Sequence, residues 1–340
     1  MLSDPTVTIR TEPSSGQQFW HSLRAVQQSY PILQTLAIAV ILTIGALTLP
    51  GLLNPNGIKL ILVLAALTGI AALGQTLVMI VGGIDLSAAS LIPAAGLAVV
   101  ALPARLGLDF AVVAVGVLIA TAALGAFIGY ICHRFDLNPL IISLGVGAFG
   151  LGVVYILAAG NLTGTTPGWL SGLVSPAVNT FGFIPLPAIV VFWIVLIVVV
   201  TVVLRWTATG KRMYAVGANR RAADFALVPS RRIWVTTFLI SGLGWGLLGI
   251  LLAGFAGSVT LDQGGTYLFQ GLAAVVVGGT VVGSRGDYIK STVGALLITV
   301  LNTVLIGHGS SKADQQILFG IVILASMVLY GRERRVRDRV

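Results

Sequence analysis

RWTATGKRMYAVGANRRAADFALVPSRR, residues 205–232, carries seven of the chain's twenty basic residues: Arg205, Lys211, Arg212, Arg220, Arg221, Arg231 and Arg232. On either side the chain is free of ionised side chains. No Asp, Glu, Lys or Arg occurs from Leu137 to Leu204, and none from Ile233 to Leu261. A basic, water-soluble loop between long apolar arms reads as the cytosolic connection of a membrane protein, because Lys and Arg collect in short cytosolic loops. The stretch is expected to face the cytosol and to carry force from another protein into the membrane.

Composition points the same way. Hydrophobic residues make up 56% and charged residues 9% of the 340, with a mean hydropathy of +1.00. A soluble domain is about one-quarter charged. The expected class is therefore all-α and polytopic in a bilayer, and the 42 glycines suit close helix contacts there. The net charge of +9 lies in short loops between apolar runs, which argues against nucleic acid as a partner and for lipid headgroups. Cys132 stands alone, so no intramolecular disulfide or Cys-rich metal site is expected. Residues 1–30 are polar and show no cleavable leader, so the apolar run after them is expected to remain as the first span.

A spanning helix needs about 20 mainly apolar residues. That ruler gives ten segments, near 31–50, 58–81, 87–104, 109–132, 139–160, 185–204, 233–256, 267–283, 290–307 and 315–331. The organisation expected is a cytoplasmic segment 1–30, a permease domain 31–331 containing the loop 205–232, and a basic cytoplasmic tail 332–340. With both termini in the cytosol, seventeen basic residues fall inside, and only Lys59, Arg105 and Lys312 fall outside. The third, eighth and ninth segments are short and rich in Gly or Ala, so they are expected inside the bundle or broken. The longest outer loop, Asn161 to Phe183, is uncharged. It either lines a vestibule, touches an external partner, or simply connects. Val81-Gly82-Gly83 and Val277-Gly278-Gly279 share a tripeptide, which is too little for a repeat.

No phosphate loop, His-Glu-x-x-His or Gly-x-Ser-x-Gly is present, so no catalytic residue or metal site is expected. The interiors of the spanning runs hold no ionised side chain, which argues against a proton relay of the chain's own and for a pathway suited to a neutral polar solute. Energy would then come from outside the chain. Gly82-Gly83-Ile84-Asp85-Leu86-Ser87 joins the second and third segments. The glycines permit a tight or unwound turn. Asp85 or Ser87 can cap the following helix, or the break can let neighbouring helices shift. Asn138 reads as the cap before Pro139. Ser143, Gln75, Gln270 and Asn302 are polar at membrane depth, and each must find partners: another helix or the solute. In the basic loop, Asn219 reads as the cap of a short helix holding Arg220, Arg221, Ala222, Ala223, Asp224 and Phe225, ended before Pro229. Such a helix can sit in a groove on a partner or lie against headgroups.

Residues 74–87, GQTLVMIVGGIDLS, resemble the signature of ribose-type permeases of bacterial ATP-binding-cassette importers. Residues 138–145 (NPLIISLG) and 272–280 (LAAVVVGGT) are similar to two further family stretches, and Gly217, Ala218 and Asn219 through Asp224 to the family's cytosolic coupling region. The likeness spans about 35–331. It implies the membrane subunit of a sugar importer in the bacterial inner membrane, paired with a second permease copy or relative, two ATPase subunits and an extracytoplasmic solute-binding protein. ATP and Mg would be bound by the ATPase partners and no cofactor by this chain. The chain departs from the family at Leu227-Val228-Pro229, at Gln270, where an acidic residue is common, and at Val282 to Asp287. The competing class is a stand-alone secondary carrier or facilitator, and a third is a non-transporting scaffold.

Overall fold

A computed structural model describes residues 31–157, 164–283 and 286–337. The expected cytoplasmic segment 1–30, Asn161 to Thr163 of the long loop, Ser284 with Arg285, and residues 338–340 of the tail lie outside these. The described chain is all-helical, with a single isolated bridge, Thr180 to Ile184, as its only β pairing. Ten helices overlap the expected segments: α1 (Ile32–Thr48), α2 (Pro55–Ile80), α3 (Ala88–Leu106), α4 (Phe110–Phe135), α5 (Pro139–Leu157), α7 (Ala188–Trp206), α10 (Ser230–Ala256), α11 (Leu261–Val277), α12 (Tyr288–Gly307) and α13 (Lys312–Arg337). Three short helices intervene: α6 (Gly168–Val174), α8 (Ala208–Ala218) and α9 (Arg220–Phe225). Seven of the thirteen described helices, α2, α3, α4, α5, α7, α10 and α12, are long and apolar enough to cross a membrane.

Where the helices begin and end has local causes. Pro55 opens α2, at a position where its missing N–H costs nothing. At the far end Gly82, at φ +99°, donates to Met79 O at 3.1 Å, and Gly83 donates to Val78 O at 2.9 Å. That left-handed cap suits glycine. The end of α11 repeats it: Gly279, at φ +83°, donates to Val276 O, and Thr280 donates to Val275 O. The shared Val-Gly-Gly thus marks a shared backbone turn. The eighth segment was expected over 267–283, but α11 starts at Leu261. A capping box between Thr260 and Gln263 nucleates it early, and Gly278-Gly279 ends it early. α13 runs on through the expected tail boundary to Arg337.

Helices α2, α3 and α10 form the buried centre, and α5 and α7 are mostly exposed. The most extensive helix contact joins α4 to α10. A Cβ at Gly125 would lie 2.2 Å from Phe238 O, and one at Gly242 would lie 2.2 Å from Thr121 O. Small residues allow this approach, and close van der Waals packing holds helices together where lipid removes the hydrophobic drive. A second core gathers at the basic-loop end, where Val78, Ile80, Cys132, Leu204, Met213, Val216, Ala223, Trp234 and Phe238 are all buried together. It fuses α8 and α9 to the ends of α2, α4, α7 and α10.

Candidate functional site

Two groups of expected residues come together on α10, at different heights. The first surrounds the α2–α3 linker. Gln75, Asp85, Ser87 and Ser143 are all fully buried. Gln75 Nε2 donates to Asp85 O at 2.5 Å, and Asp85 N–H approaches Gln75 Oε1 at 3.4 Å. Ser143 Oγ, on α5, accepts from Leu86 N–H at 2.9 Å and donates to its own helix at Leu140 O, 3.3 Å away. These side chains therefore serve as backbone partners for a non-helical segment.

The Asp85 carboxylate does not cap α3. Ser87, the residue before α3, makes no side-chain cap bond either. Instead Asp85 Oδ1 accepts from Ser87 N–H (3.0 Å) and from Ser87 Oγ–H (2.6 Å). Asp85 Oδ2 accepts from Ser241 Oγ–H (2.6 Å) and Trp245 Nε1–H (2.9 Å), both on α10 and both fully buried. The capping expectation fails because the linker folds back along α2 to the level of Gln75, where α10 supplies donors to the carboxylate. Ser241 and Trp245 lie roughly 16–22 Å along α10 from Ser230 at 1.5 Å per residue. The interior therefore does hold a carboxylate, contributed by the linker and not by the apolar runs themselves. Neither Ser241 nor Trp245 was singled out from sequence. Their only signal is a polar atom at i and i+4 on one helix face.

The other polar residues separate. Gln270 Oε1 accepts from Thr68 Oγ1 at 3.3 Å, and Thr68 Oγ1 in turn accepts from Thr299 at 3.2 Å, so α2, α11 and α12 are cross-linked there. Asn302 Oδ1 is buried with no hydrogen-bond partner. Asn138 Oδ1 accepts from Leu140 N–H at 3.0 Å, at the start of α5.

The second group is the basic loop. Asn219 Oδ1 accepts from Ala222 N–H at 3.0 Å and opens α9. A Cβ at Gly217 would lie 1.8 Å from Ile80 O, so the C-terminal turn of α8 presses directly on the end of α2. Arg220 points inward: it bonds Asp136 Oδ1 (3.0 Å) and His133 O (2.8 Å) at the end of α4 and lies 5.9 Å from the Trp234 ring centroid. Arg221, Ala218 and Ala222 are exposed, and Ala223 is buried. Ala222 and Ala223 thus do not form one outward face of α9. What faces outward is Phe225 at 90% and Leu227 at 91% exposure, the latter held at φ +59°. Asp224 accepts from Ser230 Oγ–H, and His133 Nε2 lies 2.8 Å from Ser230 Oγ, so α9 is tied to the first turn of α10. On α8, Tyr214 donates to Gly286 O at 2.8 Å, and burial with the Asp287 carboxylate nearby pushes its phenol above the ordinary value.

Within the long loop, Leu170 and Val174 of α6 are buried, and a Cβ at Gly254 of α10 would lie 2.7 Å from Leu170 Cγ. Phe181 and Phe183 stack 6.2 Å apart and are largely exposed. Among the described residues, no three His, Cys, Asp or Glu side chains meet in a way that could hold a metal ion.

Residues 57–329 match the family model described as branched-chain amino acid transport system / permease component. The chain is 30% identical to the galactofuranose transporter permease protein of Escherichia coli K12 over 78% of its own length and 76% of that protein. It is 31% identical to the ribose import permease protein of Bacillus subtilis 168, covering 86% of this chain and 90% of the relative. It is 26% identical to the D-allose transport system permease protein of E. coli K12, over 95% and 96%. No solved structure matches.

Proposed function

The chain belongs to the family of branched-chain amino acid transport system / permease components, and from that premise we propose that it carries a neutral sugar or sugar-like solute inward by alternating access, driven by partner ATPase subunits. It is a multi-pass membrane transport subunit and not itself an enzyme. The sugar assignment follows its relatives, which are permeases for galactofuranose, ribose and allose. In this reading all ten apolar helices cross the bacterial inner membrane, both termini lie in the cytosol, and the basic loop faces the ATPase. A second permease subunit and an extracytoplasmic solute-binding protein complete the assembly.

The observation that carries the reading is the state of α9. A loop of this charge could lie loosely on headgroups, yet α8 and α9 are built into the second core and hydrogen-bonded to α4 and α10. They still leave Phe225 and Leu227 uncovered. Two apolar side chains held outward on a rigid seat suit a protein groove, where each would contribute about 1.5–3 kcal/mol on burial. Force applied there reaches α10 at Ser230 and the end of α4 through Arg220. Gln75 and Ser143 act here as supports of the linker, and Gln270 and Asn302 remain the candidates for solute contact.

The test is reconstitution with the ATPase subunits and the binding protein. ATP-dependent uptake of ribose, galactofuranose or allose, without uptake of leucine, supports the reading. Uptake of leucine instead would move the substrate to the class that the family's description names. Uptake by the chain alone on an ion gradient would replace the reading with a secondary carrier.

A further inference from the structure

We propose that Asp85 is the positioning residue through which movement of the basic loop reaches the break between α2 and α3. The proposal rests on the ATPase-driven reading above.

Three features carry it. First, the linker is irregular backbone at membrane depth, which lipid does not tolerate and which persists only where protein covers it or where it lines a water path. Here Gln75 holds both backbone groups of Asp85, and Ser143 holds the N–H of Leu86. The linker is therefore clamped as a unit to α2 and α5. Second, its carboxylate makes no ion pair among the described residues. All four of its bonds come from neutral donors, two within the linker and two from α10. Apolar packing of similar volume would hold a static contact at least as well as a buried charge does, and ionisable groups at this depth mark function. Third, α10 is one uninterrupted helix from Ser230 to Ala256. Its first turn is bonded to Asp224 of α9, and its middle is bonded to Asp85. Apolar side chains slide past one another at little cost, whereas hydrogen bonds to a carboxylate fix register and direction. A shift of α10 imposed at Ser230 is thus delivered through Ser241 and Trp245 to Asp85, and from Asp85 to Ser87, the residue on which α3 begins.

The experiment uses the complete transporter in proteoliposomes and measures ATP-driven solute uptake and ATP hydrolysis per assembled complex. Asp85→Asn is nearly isosteric but turns an NH2 toward donors, so one pair of bonds must break. It is expected to lower uptake about tenfold or more while hydrolysis stays within about twofold, as loss of two charge-assisted bonds warrants. Ser241→Ala and Trp245→Phe each remove one donor and are expected to lower the uptake-to-hydrolysis ratio less. Asp85→Asn with Trp245→Phe is expected to be no worse than Asp85→Asn alone, because both break the same tie. A residue that only holds the fold would reduce the amount of assembled complex and leave the ratio unmoved. An unchanged ratio in assembled Asp85→Asn overturns the proposal. Where that variant fails to assemble, Trp245→Phe decides: a lowered ratio supports the proposal, and a wild-type ratio overturns it. If the unaltered complex shows no ATP-driven uptake, the functional reading falls and the proposal falls with it. An unchanged ratio removes the proposal alone.

Discussion

The linker between α2 and α3 and the loop between α7 and α10 both meet α10, yet they treat their side chains in opposite ways. The linker turns its polar groups inward and satisfies them: Asp85 alone accepts four hydrogen bonds, and Gln75 and Ser143 complete its backbone. The loop turns a charged side chain, Arg220, inward and leaves Phe225 and Leu227 in the open. A segment whose buried polar side chains are all paired is finished within the chain, and what it can do is move as a unit. One that holds apolar side chains outward on a packed base lacks a partner. The difference separates a part that transmits from a part that receives.

The comparison can be broken at several points. The largest effect is expected at the seat of the loop. In Gly217→Ala the new Cβ would meet the Ile80 carbonyl, which is backbone and cannot rotate away. More than about 3 kcal/mol of destabilisation should follow, read as loss of monodisperse protein after extraction. Gly152→Ala, which meets nothing within 4 Å, should be recovered like wild type. Next comes the outward face. Phe225→Ala with Leu227→Ala should leave the thermal midpoint of the isolated permease unchanged but weaken ATPase binding about thirtyfold or more, as loss of an interface hot spot does. Equal binding would show that the ATPase docks elsewhere.

Smaller effects sharpen the linker side. Ser143→Ala leaves the partly buried Leu86 N–H without its acceptor, and about 1–2 kcal/mol of stability should be lost, seen as a lower unfolding temperature. The smallest contrast lies within one dipeptide. Arg220→Ala should cost about 1 kcal/mol through its bond to the His133 carbonyl and its Trp234 contact. Arg221→Ala, at an exposed position, should stay within about 0.5 kcal/mol. Equal losses at the two sites would contradict the inward placement of Arg220.

Hydropathy made the seven long apolar helices legible, because runs of about 20 apolar residues leave few alternatives. It was blind to the start of α11, which depends on the reciprocal Thr260–Gln263 cap, itself a local signal that an apolar ruler does not weigh. The linker was visible as a break through Gly82 and Gly83, and its acid was visible too. Its partners were not, since Ser241 and Trp245 lie 156 and 160 residues from Asp85 within a run that reads as uniformly apolar. Arg220 misled for a similar reason. In sequence it belongs to a basic cluster, and only the approach of the α4 C-terminus, with His133 and Asp136, turns it inward.

The most direct measurement is solute accumulation in proteoliposomes holding the permease, its ATPase and the binding protein, with ionophores present to abolish every ion gradient. The account predicts that internal ATP alone drives concentrative uptake, and that uptake falls in step with the weakened ATPase binding when Phe225 and Leu227 are replaced by alanine. Accumulation by the permease alone on a proton or sodium gradient would contradict it.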